Sequence, residues 1–412
     1  MALAGEVKGA SVAAAVALAV GIVAVNQTLV GVFYDDGLYA GLATALATGL
    51  GYVHPNLPGL PAAVHYPPGY PIVLAPFFGV LSVNSAAIAA KILNALLGAT
   101  AAGLIAWHAT KTEMLGPAAP RWLAPAIAGG AAIAIPVLAT QTVLFAEPLF
   151  AVLLAVVIVF ADRGDRPWVV GIAAALALVT RSIGIAGAAG VVAFLITRRA
   201  SRPVFVAVLV PVIFAGVAWA IWVETHQHAI DAELALGYGN YSAHLSQAGL
   251  SAIAVNVPDL SRPLEAITLG WIPVRWLYEI VATIALGVGL YGLALLTRRS
   301  AIGFSLVFYL LILAVWPHPP DRFLWAVLPW LGLAWAAGGL ELWRRWPRVR
   351  VPLALLVTLI AGGYVYYEAR GFAGRWWDAQ ARNISANFAE LVPIVKNLPD
   401  TAIVATDDEA LV

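Results

Sequence analysis

The chain has 412 residues, of which 62% are hydrophobic and only 11% are charged, with a formal net charge of +1. A soluble domain carries about 25% charged residues, so most of this sequence must face lipid or other apolar helices. The small net charge argues against a nucleic-acid partner, which would need a basic stripe. Because the chain has no cysteine, it forms neither a disulfide framework nor a thiolate metal site. The composition therefore predicts an all-α polytopic membrane protein.

Apolar runs of about 20 residues, the length that crosses a bilayer as a helix, recur along the chain. The first run is too long for the core of a signal peptide, which indicates a retained first span. Clear spans are predicted at residues 10–32, 85–107, 122–144, 204–223, 276–296, 323–342 and 351–367, and shorter ones at residues 148–161 and 301–316.

The stretch at residues 168–197 is either one long helix or a hairpin of two short helices, because Thr180-Arg181-Ser182 interrupts it. With the hairpin there are about eleven spans, and 14 of the 23 Lys and Arg residues, including every cluster, lie on the side of the N-terminus. A single helix would move the last three clusters across the membrane. Because basic residues concentrate on the cytoplasmic side, we predict the hairpin and a cytoplasmic N-terminus.

This orientation brings polar residues from separate helix ends to the outer face. Asp35 and Asp36 follow the first span, and two adjacent carboxylates at a membrane boundary are costly to desolvate. They are therefore candidate functional residues, the alternative being a solvated helix cap. The other polar positions predicted on this face are residues 65–71, Glu147, Arg181, Asp321 and Arg322. Charges collect at membrane boundaries in any case, so the alternative is that these residues are unrelated.

Two outer loops are long, at residues 33–84 and 224–274. In the first, residues 37–49 have helical spacing and are predicted to lie along the interface. Residues 52–71 are rich in Pro and Gly and form an irregular loop, and residues 70–83 are too short to span. Irregular backbone at that depth implies a cavity at the outer surface.

The second loop is long enough for a lid but has no specific motif. The domain prediction is a transmembrane domain at residues 1–367 and a short outer tail at residues 368–412. The tail is predicted to begin with an amphipathic helix near Trp376 and Trp377 and to contain a strand at residues 401–406.

A carboxylate beside an outer groove suits a general base that deprotonates or orients an acceptor hydroxyl for attack on an anomeric carbon. Nucleotide sugars are cytoplasmic, so the donor expected on this side is a sugar linked to a polyprenyl phosphate. Such a donor needs an arginine to hold its phosphate, and Arg322 and Arg181 are the candidates. Phosphate binding would also stabilise the leaving group.

Five short motifs follow one another along the chain. They are Asp35-Asp36-x-x-Tyr39, His65-Tyr66-Pro67-Pro68-Gly69-Tyr70-Pro71, Glu147-Pro148-Leu149-Phe150, Leu178-Val179-Thr180-Arg181, and Arg322-Phe323 with Pro329. In this order they resemble motifs of the GT-C superfamily of integral-membrane glycosyltransferases. The resemblance is to the bacterial branch related to dolichyl-phosphate-mannose protein mannosyltransferases and the lipid A aminoarabinose transferase. Phe323 stands where the last motif of the family has tyrosine.

This resemblance implies transfer from an undecaprenyl- or decaprenyl-phosphate sugar to a lipid, glycan or protein acceptor outside the cytoplasmic membrane. Asp35 would be the catalytic carboxylate, with Asp36 supporting it. Glu147 would place the donor or the acceptor, and Arg322 would bind phosphate. The predicted substrate-binding set is completed by Tyr39, His65, Tyr66, Pro67, Pro68 and Arg181.

Simpler interpretations stay open for single residues. Glu147 is the charge that a helix dipole favours at its N-terminus. Arg181 could extend to the surface, and Arg322 could pair with Asp321. No cofactor is certain. A divalent metal held by Asp35, Asp36 and a histidine stays open, although no ligand spacing supports it.

Two other functions compete with a transferase. A transporter or flippase of lipid-linked substrates should place its ionisable residues near the bilayer midplane. Here they gather at one face, and Lys91 and Glu279 are the only charges predicted well inside spans. A polysaccharide polymerase or ligase that uses pyrophosphate-linked oligosaccharides would share the face but should carry more outer arginines.

Overall fold

The computed structural model describes residues 2–28, 30–227, 235–239 and 251–399. Within these ranges the chain is helical, with one isolated bridge between Val53 and Ala62, so the predicted all-α class is confirmed. The helices are α1 (Ala2–Ala24), α2 (Asp35–Ala47), α3 (Gly69–Val80), α4 (Val83–Lys111), α5 (Leu123–Ala132), α6 (Ile135–Thr142), α7 (Glu147–Arg163), α8 (Pro167–Thr180), α9 (Ile185–Thr197), α10 (Arg202–His226), α11 (Ala235–Tyr238), α12 (Ser251–Asp259), α13 (Arg262–Thr268), α14 (Arg275–Arg299), α15 (Ala301–Val315), α16 (Asp321–Arg345), α17 (Arg350–Gly374), α18 (Ala379–Phe388) and α19 (Leu391–Lys396).

Six helices in the described part of the chain are long and apolar enough to cross a membrane: α1, α4, α10, α14, α16 and α17. The bent pair α5 and α6 would make a seventh. The predicted count of about eleven is therefore not confirmed. Three of the remaining predicted spans, α8, α9 and α15, have only 14, 13 and 15 residues, which is short of the about 17 that a span needs.

The first predicted span is too long by one turn or more, because α1 ends at Ala24 rather than near residue 32. The side chain of Asn26 accepts hydrogen bonds from the backbone N–H of Thr28 at 3.3 Å and from its hydroxyl at 2.6 Å. A local turn of this kind replaces the helical hydrogen bonds. The acidic pair is therefore reached through non-helical backbone.

The span predicted at residues 122–144 is broken into α5 and α6, which meet at an angle of 52°. Pro136 lies in the first turn of α6, where its missing N–H costs nothing and favours the start of a new helix. The carboxylate of Glu368 in α17 accepts the free N–H of Ile135 at 3.0 Å. The bend is thus stabilised by a side chain from a distant helix.

The fold-back predicted for residues 168–197 is present. The helices α8 and α9 are separated by Arg181 and a 3₁₀ turn at Ser182–Gly184. Gly184 lies so close to α8 that a Cβ there would come within 2.5 Å of the backbone of Ala177. The chain therefore reverses at this point and leaves Arg181 at the turn.

The helix predicted at residues 37–49 forms as α2, the short stretch at residues 70–83 forms α3 and the start of α4, and α2 and α3 pack against each other. That α2 lies along the membrane interface stays a prediction. Helix α17 continues to Gly374, so the predicted boundary at residue 367 falls inside a helix. The strand predicted at residues 401–406 lies outside the described residues. The 224–274 loop is described only in part, as α11, α12 and α13.

Small residues let the helices approach closely, as is usual in membrane proteins. Helix α4 packs against α1, α5 and α7, and α9 packs against α15. At the second of these contacts, a Cβ on Gly190 would lie 2.3 Å from the backbone of Ser305. The α9–α15 contact therefore depends on a position without a side chain.

Replacing Gly190 by Ala should force α9 and α15 apart and cost about 1–3 kcal/mol of stability through overpacking. We expect a lower midpoint in thermal unfolding of the detergent-purified protein, followed by tryptophan fluorescence. Gly287→Ala is the matched control, because nothing lies within 4 Å of its added Cβ. Equal midpoints for the two variants would contradict the close α9–α15 contact.

Candidate functional site

Four ionised side chains from four parts of the fold meet at one end of the helices. Nη2 of Arg322 lies 2.5 Å from Oδ2 of Asp35, and Nε of the same arginine lies 2.9 Å from Oε1 of Glu147. Nη1 of Arg181 approaches that glutamate oxygen to 2.5 Å. We call Asp35, Arg322, Glu147 and Arg181 the charged network. Two cations and two anions alternate in it.

Helix ends explain why these charges are placed here. Asp35 and Glu147 are the first residues of α2 and α7, where a helix dipole favours an anion. Arg181 directly follows the last residue of α8, where the dipole favours a cation. Glu147 is 1% exposed and Arg181 is 7% exposed. Removing Glu147 would leave the buried charge of Arg181 without its ion-pair partner, so the two are energetically coupled.

Aromatic rings lie against both guanidinium groups. The guanidinium carbon of Arg322 is 4.4 Å from the ring centroid of Phe145, and that of Arg181 is 4.6 Å from the ring of Phe323. These distances are within the range of cation–π attraction. The rings also exclude water from one side of each cation and so fix its direction.

Asp35 is held as a carboxylate. The hydroxyl of Tyr66 donates to its Oδ1 at 2.6 Å, while Arg322 contacts its Oδ2. Burial alone would raise the pKa of Asp35, but the nearby Arg322 charge and the Tyr66 hydrogen bond outweigh it and hold the pKa below its ordinary value. An ionised carboxylate is the form that can accept a proton from a hydroxyl.

Asp36 points away from the charged network and is 3% exposed. Its Oδ2 accepts the N–H of Gly31 at 2.8 Å, and its Oδ1 accepts the N–H of Phe33 at 2.9 Å. Burial raises the pKa of Asp36 against the opposing effect of these two hydrogen bonds. Asp36 therefore fixes the turn that leads into Asp35.

A small cavity of about 30 Å³ adjoins the charged network. A space of this size holds about two water molecules. The residues that line it are Tyr39, Tyr66, Pro67, Thr180, Arg181, Ser182, Ile183, Trp316, Arg322 and Phe323.

The segment at residues 65–71 packs closely against the end of α8, which lies beside the site. A Cβ on Gly69 would lie 2.7 Å from the carbonyl oxygen of Val179, so only glycine allows this approach to the helix that ends beside Arg181. Pro68 directly precedes α3 and does not line the cavity. His65 turns elsewhere, and its Nδ1 lies 2.6 Å from the carbonyl oxygen of Gly239 in the second outer loop.

Seven of the ten predicted site residues thus line the cavity or belong to the charged network, and the other three do neither. The seven are Asp35, Tyr39, Tyr66, Pro67, Glu147, Arg181 and Arg322. Asp36, His65 and Pro68 contact backbone or begin a helix instead. The substrate roles assigned to all ten stay predictions.

This arrangement of helices has a counterpart among solved structures. ArnT from Cupriavidus metallidurans in the apo state superposes with a TM-score of 0.59 at 15% identity, and its undecaprenyl phosphate complex with 0.52 at 18%. Each comparison covers 97% of this chain and 83% of ArnT. The chain has the ArnT fold. No protein-family profile and no curated protein matches the sequence.

The ArnT fold bears out the resemblance to the GT-C superfamily, to which that lipid A aminoarabinose transferase belongs. At such low identity, however, the likeness establishes the fold and not the substrate. The function therefore has to be argued from the charged network itself.

Two aromatic residues of this site were missed by the sequence interpretation. Phe145 lies under the Arg322 guanidinium, and Trp316 lines the cavity. In a chain with 15 Trp and 14 Phe residues, a single aromatic residue carries no signal of its own. The one available hint is position, because each shortly precedes a charged motif residue.

The donor set does not favour a metal ion. Among the described residues, no three His, Asp or Glu side chains are grouped so that they could hold one. One oxygen each of Asp35 and Glu147 already faces a guanidinium group, whose positive charge opposes a second cation. The divalent metal that the sequence left open stays a prediction.

His54 lies in the loop between α2 and α3 and is fully buried. Within the described chain neither of its ring nitrogens has a hydrogen-bond partner, and its ring meets that of Tyr238 edge-on at 4.7 Å. Burial, aided by nearby His65, lowers the pKa of His54 to about 4. The folded state therefore resists a proton that the unfolded chain accepts at about pH 6.5.

Stability should consequently fall as the pH drops from about 6.5 towards 4, because only the unfolded state gains a proton there, by up to about 3 kcal/mol. His54→Phe should remove this dependence and stabilise the protein near neutral pH by about 1–2 kcal/mol, since no buried donor is left unpaired. Thermal unfolding at several pH values measures both effects. Identical pH slopes for the variant and the wild type would contradict the assignment.

Proposed function

We propose that this protein is a membrane glycosyltransferase that moves a sugar from a polyprenyl-phosphate-linked donor to an acceptor on the outer face of the cytoplasmic membrane. The observation that carries the proposal is the charged network, in which an ionised Asp35 and two arginines lie beside one cavity. A transfer needs a base for the acceptor and a cation for the phosphate. The fold supports the same class of reaction.

The donor phosphate is assigned to Arg322 first. Its side chain is 32% exposed, whereas that of Arg181 is 7% exposed and faces the nearly buried Glu147. A guanidinium binds a phosphate through two parallel hydrogen bonds. Arg181 then balances Glu147 while Arg322 turns to the donor. The ArnT complex with undecaprenyl phosphate supports a polyprenyl chain as the lipid part.

In the proposed reaction the acceptor hydroxyl oxygen forms a bond to the anomeric carbon of the sugar. The bond between that carbon and the phosphate oxygen breaks, and its electron pair stays on the phosphate. The hydroxyl proton passes to the carboxylate of Asp35. Arg322 stabilises the negative charge that develops on the leaving phosphate. The sugar in this proposal is a hexose or a pentose, and the acceptor is a lipid, a glycan or a protein.

The positions of the charges support the proposed location on the outer face. The network lies where α9 and α16 begin, and the arginine pairs at residues 198–199 and 344–345 lie where these helices end. Basic residues mark the cytoplasmic side of a membrane protein. We therefore place the site on the periplasmic or extracytoplasmic face of the inner membrane.

The decisive test is Asp35→Asn, which keeps the size of the side chain but removes the base. Transfer from a polyprenyl-phosphate sugar should fall by at least about 100-fold, the contribution typical of general-base catalysis. Donor retention, followed by native mass spectrometry against free sugar and nucleotide sugar, should persist. Asp321→Asn is the matched control, because Asp321 is an exposed aspartate at the same end. An active Asp35→Asn enzyme would contradict the proposal.

Arg322→Ala should weaken binding of the polyprenyl-phosphate donor by about 10- to 150-fold, which corresponds to about 1.5–3 kcal/mol for a charged hydrogen bond. A titration with the donor lipid in detergent measures this affinity. Arg275→Ala is the control, because Arg275 is an exposed arginine paired only with Glu279 among the described residues. If donor affinity is unchanged in Arg322→Ala, the phosphate role belongs to another residue.

A further inference from the structure

Lys91 is a charged residue that the proposed reaction does not use. It lies inside the predicted span of α4 and is 2% exposed. Among the described residues no carboxylate forms an ion pair with it, although Asp36 and Asp378 are near enough to interact with its charge. Burying an ammonium group without a direct counter-ion is costly, and such residues inside a membrane are functional candidates.

Among the described residues, the hydrogen bonds of Lys91 go to the segment that follows α1. Its Nζ donates to the side-chain and backbone oxygens of Asn26 at 2.7 and 3.3 Å, and to the backbone oxygen of Thr28 at 3.2 Å. An ammonium has three protons, so these contacts use its donors. Trp377 donates a further hydrogen bond to this region, from its Nε1 to the carbonyl oxygen of Ala24 at 3.2 Å.

These oxygens lie at the end of α1 or just beyond it. The last carbonyl groups of a helix, of which that of Ala24 is one, have no donor partner inside it. Asn26 and Thr28 lie outside the helix, and apolar surroundings offer their oxygens no water as a partner. Lys91 and Trp377 therefore supply the donors that allow α1 to end early. Without them the stretch at residues 25–28 would gain by continuing as a helix, which would carry the following residues to another position.

The residues that follow are those that hold the acidic pair. The N–H groups of Gly31 and Phe33 bind the carboxylate of Asp36. Between them and Asp35, the backbone of Tyr34 has φ 65° and ψ −66°, a conformation that L residues avoid. A strained residue persists only where its surroundings impose it. The direction of Asp35 thus depends on a turn that must be anchored from outside.

We propose that Lys91 is a positioning residue for Asp35 and Asp36: by binding the oxygens of Asn26 and Thr28, it fixes the break after α1 from which the acidic turn starts. Its charge suits the task, since charge-assisted hydrogen bonds to backbone oxygens are stronger than neutral ones. The catalytic consequence rests on the proposed function, but the structural consequence does not.

Two measurements separate the structural consequence from the catalytic one. Hydrogen–deuterium exchange of peptides that cover residues 30–40 reports on the turn whatever the protein catalyses. Transfer rate at saturating donor and donor affinity, measured separately, report on the reaction. The variants are Lys91→Met, which keeps the length but removes the donors, and Lys91→Arg, which keeps the charge. Lys111→Met is the matched control, because Lys111 is the exposed lysine at the other end of α4.

In Lys91→Met we expect faster exchange of these peptides, a transfer rate lower by about 100-fold, and donor affinity close to that of the wild type. A displacement of about 1 Å at a catalytic group has an effect of this size. Lys91→Arg should recover part of the rate, and Lys111→Met should match the wild type. Unchanged exchange in Lys91→Met would overturn the proposal. So would a loss of donor affinity with an unchanged saturated rate, because Lys91 would then bind the phosphate.

Should the wild type transfer no sugar from any polyprenyl phosphate, the proposed function fails, while the exchange experiment still decides the role of Lys91. Should Lys91→Met not fold, Asn26→Ala tests the same contact from its other side. Asn26→Ala should also increase the exchange of residues 30–40. Because the two residues act through one contact, its effect should not add to that of Lys91→Arg. Fully additive effects would overturn the proposal.

Discussion

The bridge that Arg322 forms between Asp35 and Glu147 is the interaction on which the site depends. One guanidinium touches carboxylates from two helices, and Arg181 completes the balance of charge from a third. Each ion alone would be costly at a membrane boundary, but together they neutralise one another and can remain largely desolvated. The helices that bring them together, α2, α7, α8 and α16, are separated widely in sequence. The site exists only because the fold closes these distances.

Much of this was predictable from sequence because the cost of a charge in a membrane is large. In a chain with so few ionised residues, those at helix ends are few, and the positive-inside rule places them on one face. Asp35, Glu147, Arg181 and Arg322 were therefore expected together. The fold-back at Arg181 was also predictable, since a single helix would have moved three arginine clusters across the membrane.

What sequence could not supply were choices made between distant residues. A hydropathy pattern averages over neighbours in the chain, so it predicted a first span that extends to residue 32. The helix ends at Ala24, where Lys91 and Trp377 from distant parts of the chain donate hydrogen bonds to its end and to the residues that follow. It read residues 122–144 as one span because the carboxylate that caps the bend, Glu368, lies in α17. Sequence also left open whether Arg322 pairs with Asp321, whereas the structure pairs it with Asp35 and Glu147.

The small size of the cavity has a consequence for the reaction of the proposed donor with water. A base beside an activated sugar can deprotonate any hydroxyl that reaches it, including that of water, which is the most abundant one. The sugar would then be transferred to water. Oδ1 of Asp35 accepts from the Tyr66 hydroxyl and Oδ2 faces Arg322, and the cavity of about 30 Å³ beside them has room for about two water molecules. Little water can therefore lie within reach of the carboxylate. For the transferase proposed above, loss of the lipid-linked sugar to hydrolysis would then be limited to the interval in which the bound donor holds these side chains apart.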